Sequence, residues 1–232
     1  MYKFFNSLCK HEALIVENVH PVLILGIVEN FDFSEYKKTR WKSAYIISLE
    51  SGSVETLFGL YAIAKNSTAV IPLNIINTTT LAQSWVILSE EDIPFQINGP
   101  IESDGRLKYI DGAKDSIAIH PPKMGLPCLN VMYFPAGINQ HSHTHPSLRC
   151  AIVIEGEGSC DVGGESYELR TGGFLIMEEN IDHAFYSKTR LVVVTYHPDS
   201  ENGPTDEAHP MISRTYVDNK PVLQSRPDIQ TK

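Results

Sequence analysis

The chain has 232 residues, 42% of them hydrophobic and 20% charged, which suits one large or two small globular domains. Its net charge is −9 and its pI about 5.4, with no Lys/Arg-rich run, so nucleic acid is not an expected partner. No apolar run approaches the ~18–20 residues of a membrane span, and the N-terminus lacks the apolar core of a signal peptide. The expectation is therefore a cytoplasmic protein that does not associate with membranes.

Taken in order, the chain opens on a candidate short helix near residues 2–10. Short β-branched runs bounded by turn residues then predict strands over 22–28, 44–49, 69–71 and 84–88. Residues 54–64 are a second helix candidate, although their aromatic and β-branched content also fits strands. Gly99-Pro100, Asp104-Gly105, Asp111-Gly112 and Pro121-Pro122 are turn and loop signals, and they predict a linker. Strands follow over 129–134, 151–154, 173–177 and 191–196, with hairpin turns at Glu157-Gly158 and Gly163-Gly164. From Pro198 onward the chain is rich in Asp, Glu, Pro and Ser and includes His209; it reads as an arm over a barrel mouth or as a solvated tail. Cys9, Cys128, Cys150 and Cys160 have neither CxxC spacing nor framework density and read as reduced, mostly buried thiols.

Many short strands with turns between them suggest a sandwich or barrel. Two segment pairs also repeat. Residues 43–53 resemble 150–159, and 70–77 resemble 176–183. Both similarities fall at one offset of about 105 residues, which points to an internal duplication. The first copy then has Lys38, Arg40 and Asn77 where the second has His143, His145 and His183.

The stretch from Gly137 to His183 carries the chemistry. It holds His141, His143 and His145 within five residues, then Arg149, Glu155 and Gly156, and later Gly172, Glu178, Asn180 and His183. Side chains at i and i+2 on a strand point to the same side, so His143 and His145 project together, and Arg149 shares their parity. Cys150 has the opposite parity. Neutral imidazole suits zinc, copper, iron and nickel, and three protein ligands with open positions are the usual arrangement of a reactive metal. His141 either supplies a further ligand or sits in the loop before the strand, and Gln140 is a weaker candidate of the same kind.

The two halves of this stretch resemble the paired signatures of the cupin family. The first signature is G-x5-H-x-H, three or four residues, E, six residues, G; Gly137, His143, His145 and Gly156 fall on it. The second is G-x5-P-x-G-x2-H-x3-N; Gly172 and His183 fall on it, while Glu178, Asn180 and Ser187 replace its Pro, Gly and Asn. The resemblance implies an all-β fold, a double-stranded β-helix or jelly-roll barrel, here as two tandem modules with a degenerate first copy. It also implies that His143, His145 and His183 hold a divalent metal, with Fe(II) favoured over Zn, Ni or Mn.

Arg149 stands where cupins usually carry a metal-binding Glu, and a guanidinium cannot ligate. At ~6 Å and an effective dielectric of ~20, its repulsion of a divalent ion is ~5 kcal/mol. Either an anion sits between them, or Arg149 turns away, or the metal is weakly held or absent.

The expected organisation is a metal-free module over 1–95, a linker over 96–123, a metal-binding module over 124–200 and an arm or tail over 201–232. The expected function is metal-dependent chemistry on a small anionic organic molecule, with dioxygenation first and isomerase, decarboxylase or lyase chemistry second. A non-catalytic ligand-binding barrel is the alternative. Arg149 is expected to hold the substrate, Glu178 and His197 to serve proton transfer, and two chains to form a homodimer.

Overall fold

The computed structural model describes residues 3–5, 13–17, 19–205 and 214–222. Cys9 and His209 lie outside the described residues, as does most of the 2–10 helix candidate. Its residues Lys3–Phe5 form a strand, β1.

The first half continues with β2 (Ala13–Val16), β3 (Val22–Ile27), β4 (Phe31–Asp32), β5 (Ser43–Ser48), β6 (Gly52–Thr56), β7 (Gly59–Ile63), β8 (Ser67–Pro72), β9 (Ile76–Thr79), β10 (Ser84–Ser89) and β11 (Gln96–Asn98). The second half comprises β12 (Leu107–Lys108), β13 (Lys114–Ile119), β14 (Cys128–Phe134), β15 (Arg149–Glu155), β16 (Glu157–Val162), β17 (Glu165–Arg170), β18 (Phe174–Met177), β19 (His183–Ser187) and β20 (Leu191–His197). The small hairpin β21 (Tyr216–Val217) and β22 (Lys220–Pro221) ends the described chain.

The helix expected over 54–64 is instead the hairpin β6–β7, with Val54 opposite Tyr61 and the turn closing at Gly59. Val54 and Ile63 face the core while Leu57, Phe58 and Leu60 are exposed. Gly59, at φ +140°, allows a reversal that a helix has no use for. The 96–123 segment also differs from a plain linker. β11 pairs with β8 of the first half, while β12 and β13 extend the sheet of the second. Its glycines and prolines do mark turns, but the Lys114–Ile119 run between them is long enough to join a sheet.

The strand order is similar in the two halves, apart from an extra edge strand in one sheet of each, β4 and β12. The larger sheet of the first half runs β11-β8-β5-β10-β3-β2, and that of the second β1-β18-β15-β20-β14-β13-β12. Each is backed by a smaller sheet, β4-β9-β6-β7 in the first half and β17-β16-β19 in the second. One edge strand crosses between the halves: β1, from the start of the chain, pairs with β18.

Packing stacks the sheets in four layers with three cores between them. Leu25, Trp41, Ile46 and Ile71 fill the space between the two sheets of the first half. Phe134, Val153, Leu175 and Leu191 do the same in the second. The third core lies between the two large sheets. There Tyr45, Ile47 and Trp85 of the first half meet Cys150, Ile152, Ile154, Phe174 and Tyr196 of the second. The central strands are therefore buried on both faces. This is why β3, β5, β10, β15, β18 and β20 read as continuous apolar runs and lack a strict alternation. Trp85 Nε1 donates to Gly172 O at 3.0 Å, and the Trp85 and Phe174 rings lie 4.6 Å apart. Cys128, Cys150 and Cys160 are buried free thiols.

Candidate metal centre

Three features bring the histidines together. First, the loop before β15 runs antiparallel to the start of β19. His143 and His183 exchange both backbone hydrogen bonds, at 3.0 and 2.9 Å, and Asn180 N–H donates to His145 O at 2.7 Å. β15 begins only at Arg149, so His143 and His145 lie on an extended loop and not within the strand; these cross-bonds keep the loop extended, and the i, i+2 grouping holds. Second, Asn180 sits at φ +58°, where the family signature has Gly; Asn is the residue that best tolerates this region after Gly. Third, Gly156 has φ +89°, and a Cβ there would lie 1.9 Å from Arg190 O. Only Gly fits this turn, which leads into β16, the strand that pairs with β19 and sets Val162 opposite His183.

The result is a tight cluster. The imidazoles of His143, His145 and His183 each offer a nitrogen, and these atoms lie within 4.8 Å of one another. No other His/Cys/Asp/Glu cluster with this reach occurs among the described residues. His143 Nδ1 faces His141 O and His183 Nδ1 faces Ile181 O, both at 3.0 Å. A carbonyl can only accept, so both rings carry their proton on Nδ1 and turn the Nε2 lone pair inward. Burial is the main cause that pushes His145 down to about 3, with Arg149, His183 and His143 adding to it. His183 is pushed down to about 4, first by burial and then by His143 and Arg149, against the opposing pull of Ile181 O. The depressed pKa values of His145 and His183, the Nδ1 protons of His143 and His183 and the clustering of the three rings suit a divalent metal.

His141 is not part of the cluster. Its ring is exposed, and Asp111 accepts from both its backbone N–H and its Nδ1, each at 2.7 Å. Its role is to present the carbonyl that orients His143. Gln140 is buried and lines the cavity, but its Oε1 accepts from Phe185 N at 3.2 Å, and its Nε2 is buried without a partner. An amide nitrogen is a donor and no ligand.

Arg149 lines the same cavity and is only 7% exposed, so it does not turn away. Its Nη1 donates to Ser147 O and Leu148 O, each at 3.0 Å, and to Ser147 Oγ at 2.5 Å. Ser147 Oγ in turn donates to Asp199. The guanidinium is thus fixed by one nitrogen, and Nε is left buried without a partner. Burial lowers the Arg149 pKa, and the charge of Asp199 opposes that shift. Glu155 is engaged elsewhere, with Arg190.

His197 also lines the cavity and is held neutral, well below the usual imidazole range, mainly by burial. Glu178 follows β18 and is not among the residues lining the cavity. Sequence reasoning missed Asp115, which does line it, and which burial pushes up to about 6. A carboxylate within the otherwise apolar-leaning run Lys114–Ile119 was the available signal. Tyr109, Met132 and Phe185 complete an apolar rim around a space of about 160 Å³.

Residues 130–210 match the family described as "cupin domain". This is a cupin barrel. No curated protein matches the chain in sequence. Among solved structures, the cupin fold recurs in a cupin 2 conserved barrel domain protein from Leptotrichia buccalis, at 15% identity and TM-score 0.57, covering 85% of this chain and 96% of that one. A putative glyoxylate-induced protein from Pseudomonas aeruginosa is 15% identical with TM-score 0.62, covering 88% of this chain and 82% of its own. A salicylate 1,2-dioxygenase variant from Pseudoaminobacter salicylatoxidans, in complex with gentisate, is 10% identical with TM-score 0.56, covering 82% and 74%. At these identities the likeness concerns the fold of the cupin barrel.

The first half has a comparable strand register. Ala44 pairs with Ile71 as Arg149 pairs with Met177, and Thr56 pairs with Ile76 as Val162 pairs with His183. Asn77, the counterpart expected from sequence, accepts from Lys37 Nζ at 2.9 Å, and Arg40 pairs with Glu17 and Glu90 on the surface.

Proposed function

We propose that this chain is a metal-dependent cupin enzyme acting on a small anionic organic molecule, with dioxygenation as its reaction. In this reading His143, His145 and His183 hold Fe(II) in preference to Zn, Ni or Mn. The two halves are two tandem cupin modules, of which only the second carries a site. The observation that carries the reading is the combination of three clustered imidazoles with a buried guanidinium in one cavity.

When bound, the metal supplies Lewis acidity and redox chemistry next to the substrate. The remaining parts belong to the chain. Arg149, pinned through Nη1, holds a carboxylate or enolate, and this anion offsets the repulsion between guanidinium and metal. His197, unprotonated at neutral pH, is placed to take a proton. Tyr109, Met132 and Phe185 limit the entry of water. The neighbouring salicylate dioxygenase supports the reaction class, by fold alone. A second reading, isomerase or lyase chemistry at the same metal, is favoured by the buried carboxyl of Asp115, a further proton carrier.

The test is metal content and oxygen uptake. Protein purified without chelators or added metal should carry about one first-row ion per chain, and His145→Ala should lose most of it. Unchanged metal stoichiometry in His145→Ala refutes the assignment. Metal retained without oxygen uptake on any small acid would favour the second reading.

A further inference from the structure

Two hairpins stand at the outer edges of the two small sheets: β6–β7 in the first half and β16–β17 in the second. Each is closed by a two-residue turn, with Thr56 opposite Gly59 and Val162 opposite Glu165. Their edge strands are exposed in the same order. Gly59, Leu60 and Ala62 of β7 are exposed, Tyr61 is half-buried and Ile63 is buried. Glu165, Ser166 and Glu168 of β17 are exposed, Tyr167 is half-buried and Leu169 is buried.

The chemistry of the two edges is opposite. β17 carries Glu165, Glu168 and Arg170 after a Gly163-Gly164 turn, the charged edge that a strand facing water normally has. β7 follows a Leu57-Phe58 turn, and residues 57–64 include no charge and no proline. Leu57, Phe58 and Leu60 are 63%, 74% and 71% exposed. Hairpin turns that meet only water favour glycine and small polar residues. The backbone of β7 is open as well. Hydrogen-bonded and open positions alternate along an antiparallel ladder. Thr56 and Gly59 close the hairpin, so Gly59, Tyr61 and Ile63 turn their backbone groups toward β6, and Leu60 and Ala62 turn theirs outward. β7 ends its sheet, and neither Leu60 nor Ala62 has a further backbone partner among the described residues.

We propose that the β7 edge is a homodimer interface, at which β7 pairs antiparallel with the same strand of a second copy across a two-fold axis. A two-fold contact uses one patch on both copies, so the edge needs no other complement. Centred on Tyr61, the pairing sets Leu60 against the partner's Ala62 and Phe58 against the partner's Ala64, and no charge lies between them. β17 of a second copy would instead bring Glu165 and Glu168 against the leucines. Two chains that each carry a net charge of −9 repel one another least where their surfaces are uncharged. A Phe buries roughly 150–250 Å², so with two leucines and a strand edge each copy brings on the order of 500 Å², and two copies reach the roughly 1,000 Å² at which a specific interface begins. An interface of that size dissociates on dilution.

The experiment is sedimentation velocity of the full chain from about 1 to 100 µM, the range over which a weak dimer forms. The wild type should pass from monomer to dimer as concentration rises. Leu60→Lys places on this edge the kind of charge that protects β17, and should weaken the dimer about tenfold or more. Ala62→Pro removes an outward N–H that β6 does not use, and should do the same. Ile15→Lys, on the exposed edge strand β2, should leave association unchanged. Circular dichroism checks that each variant folds; Leu60 is exposed, so Leu60→Lys carries the test if the proline variant does not fold. A wild type that stays monomeric at the top of the range overturns the proposal and leaves β7 to a different protein. A dimer that either folded β7 variant leaves intact, or that Ile15→Lys dissociates, overturns it too.

Discussion

Arg149 and Asp115 illustrate how single side chains acquire a function from burial. Arg149 keeps its charge in the interior because Ser147, Leu148 and, through Ser147, Asp199 surround one end of it. Arg149→Ala should retain the metal while weakening carboxylate binding about ten- to hundredfold, the range for a charged hydrogen-bond donor. Arg149→Glu should restore the usual cupin ligand set and raise metal affinity while abolishing anion binding. Parallel metal and carboxylate titrations of both variants decide the matter; metal loss in Arg149→Ala with ligand preference unchanged would make Arg149 a structural residue.

Asp115 gives a pH dependence with a definite sign. Burial pushes it up to about 6 in the folded protein, while in the unfolded chain an Asp ionises near ~3.9. Below ~4 both states hold the proton, and as pH rises toward ~6 the unfolded state releases it first, so the folded state loses stability across that window. Asp115→Asn, uncharged throughout, should raise the Tm of the metal-free protein at pH 7.5 and leave it nearly unchanged below pH ~4. An equal shift at both pH values would mean that Asp115 ionises normally.

At the scale of elements, the site depends on two chain segments holding each other extended. The bonds His143–His183 and Asn180–His145 do this, and Asn180 can take part because its left-handed backbone turns the N–H toward the loop. Asn180→Val, a β-branched residue with no such tolerance, should cost about 1–3 kcal/mol and loosen the metal. Gly156 is the second constraint. Gly156→Ala meets both an unfavourable φ and the Arg190 carbonyl, so a loss of about 2–3 kcal/mol is expected by denaturant unfolding. A neutral result would mean that the β15–β16 turn can shift without cost.

For the whole molecule, the decisive contact is the core between the two large sheets. The apolar face of β15 formed by Cys150, Ile152 and Ile154 is covered by Tyr45, Ile47 and Trp85 of the same chain. That face is closed without a second subunit, so the proposed homodimer would have to use another surface. The shared core and the crossing strand β1 tie the two halves into one unfolding unit. Trp85→Ala should cost about 3–5 kcal/mol and destabilise both halves together in a single transition. Two separate transitions in the wild type would show that the halves fold independently. Among the described residues, no helix is long and apolar enough to cross a membrane.

The sequence by itself determined the β architecture, the strand positions and the three histidines. Strand runs, turn residues and metal-ligand spacing are local properties, and the site happens to draw its ligands from two short motifs. The continuous apolar runs of β5, β10, β15 and β20 match their burial on both faces in the structure. The tertiary structure alone decided what depends on atoms distant in the chain. The 54–64 segment chose a hairpin over a helix because Val54 and Ile63 find a core to enter. Asp111 drew His141 outward across 30 positions, and Ser147 and Asp199 turned Arg149 into a fixed donor. Asp115 became a cavity residue because β13 joined a sheet that its flanking turn signals had concealed. Hydrogen-bond satisfaction and burial are properties of the assembled core, and no spacing rule along a chain can supply them.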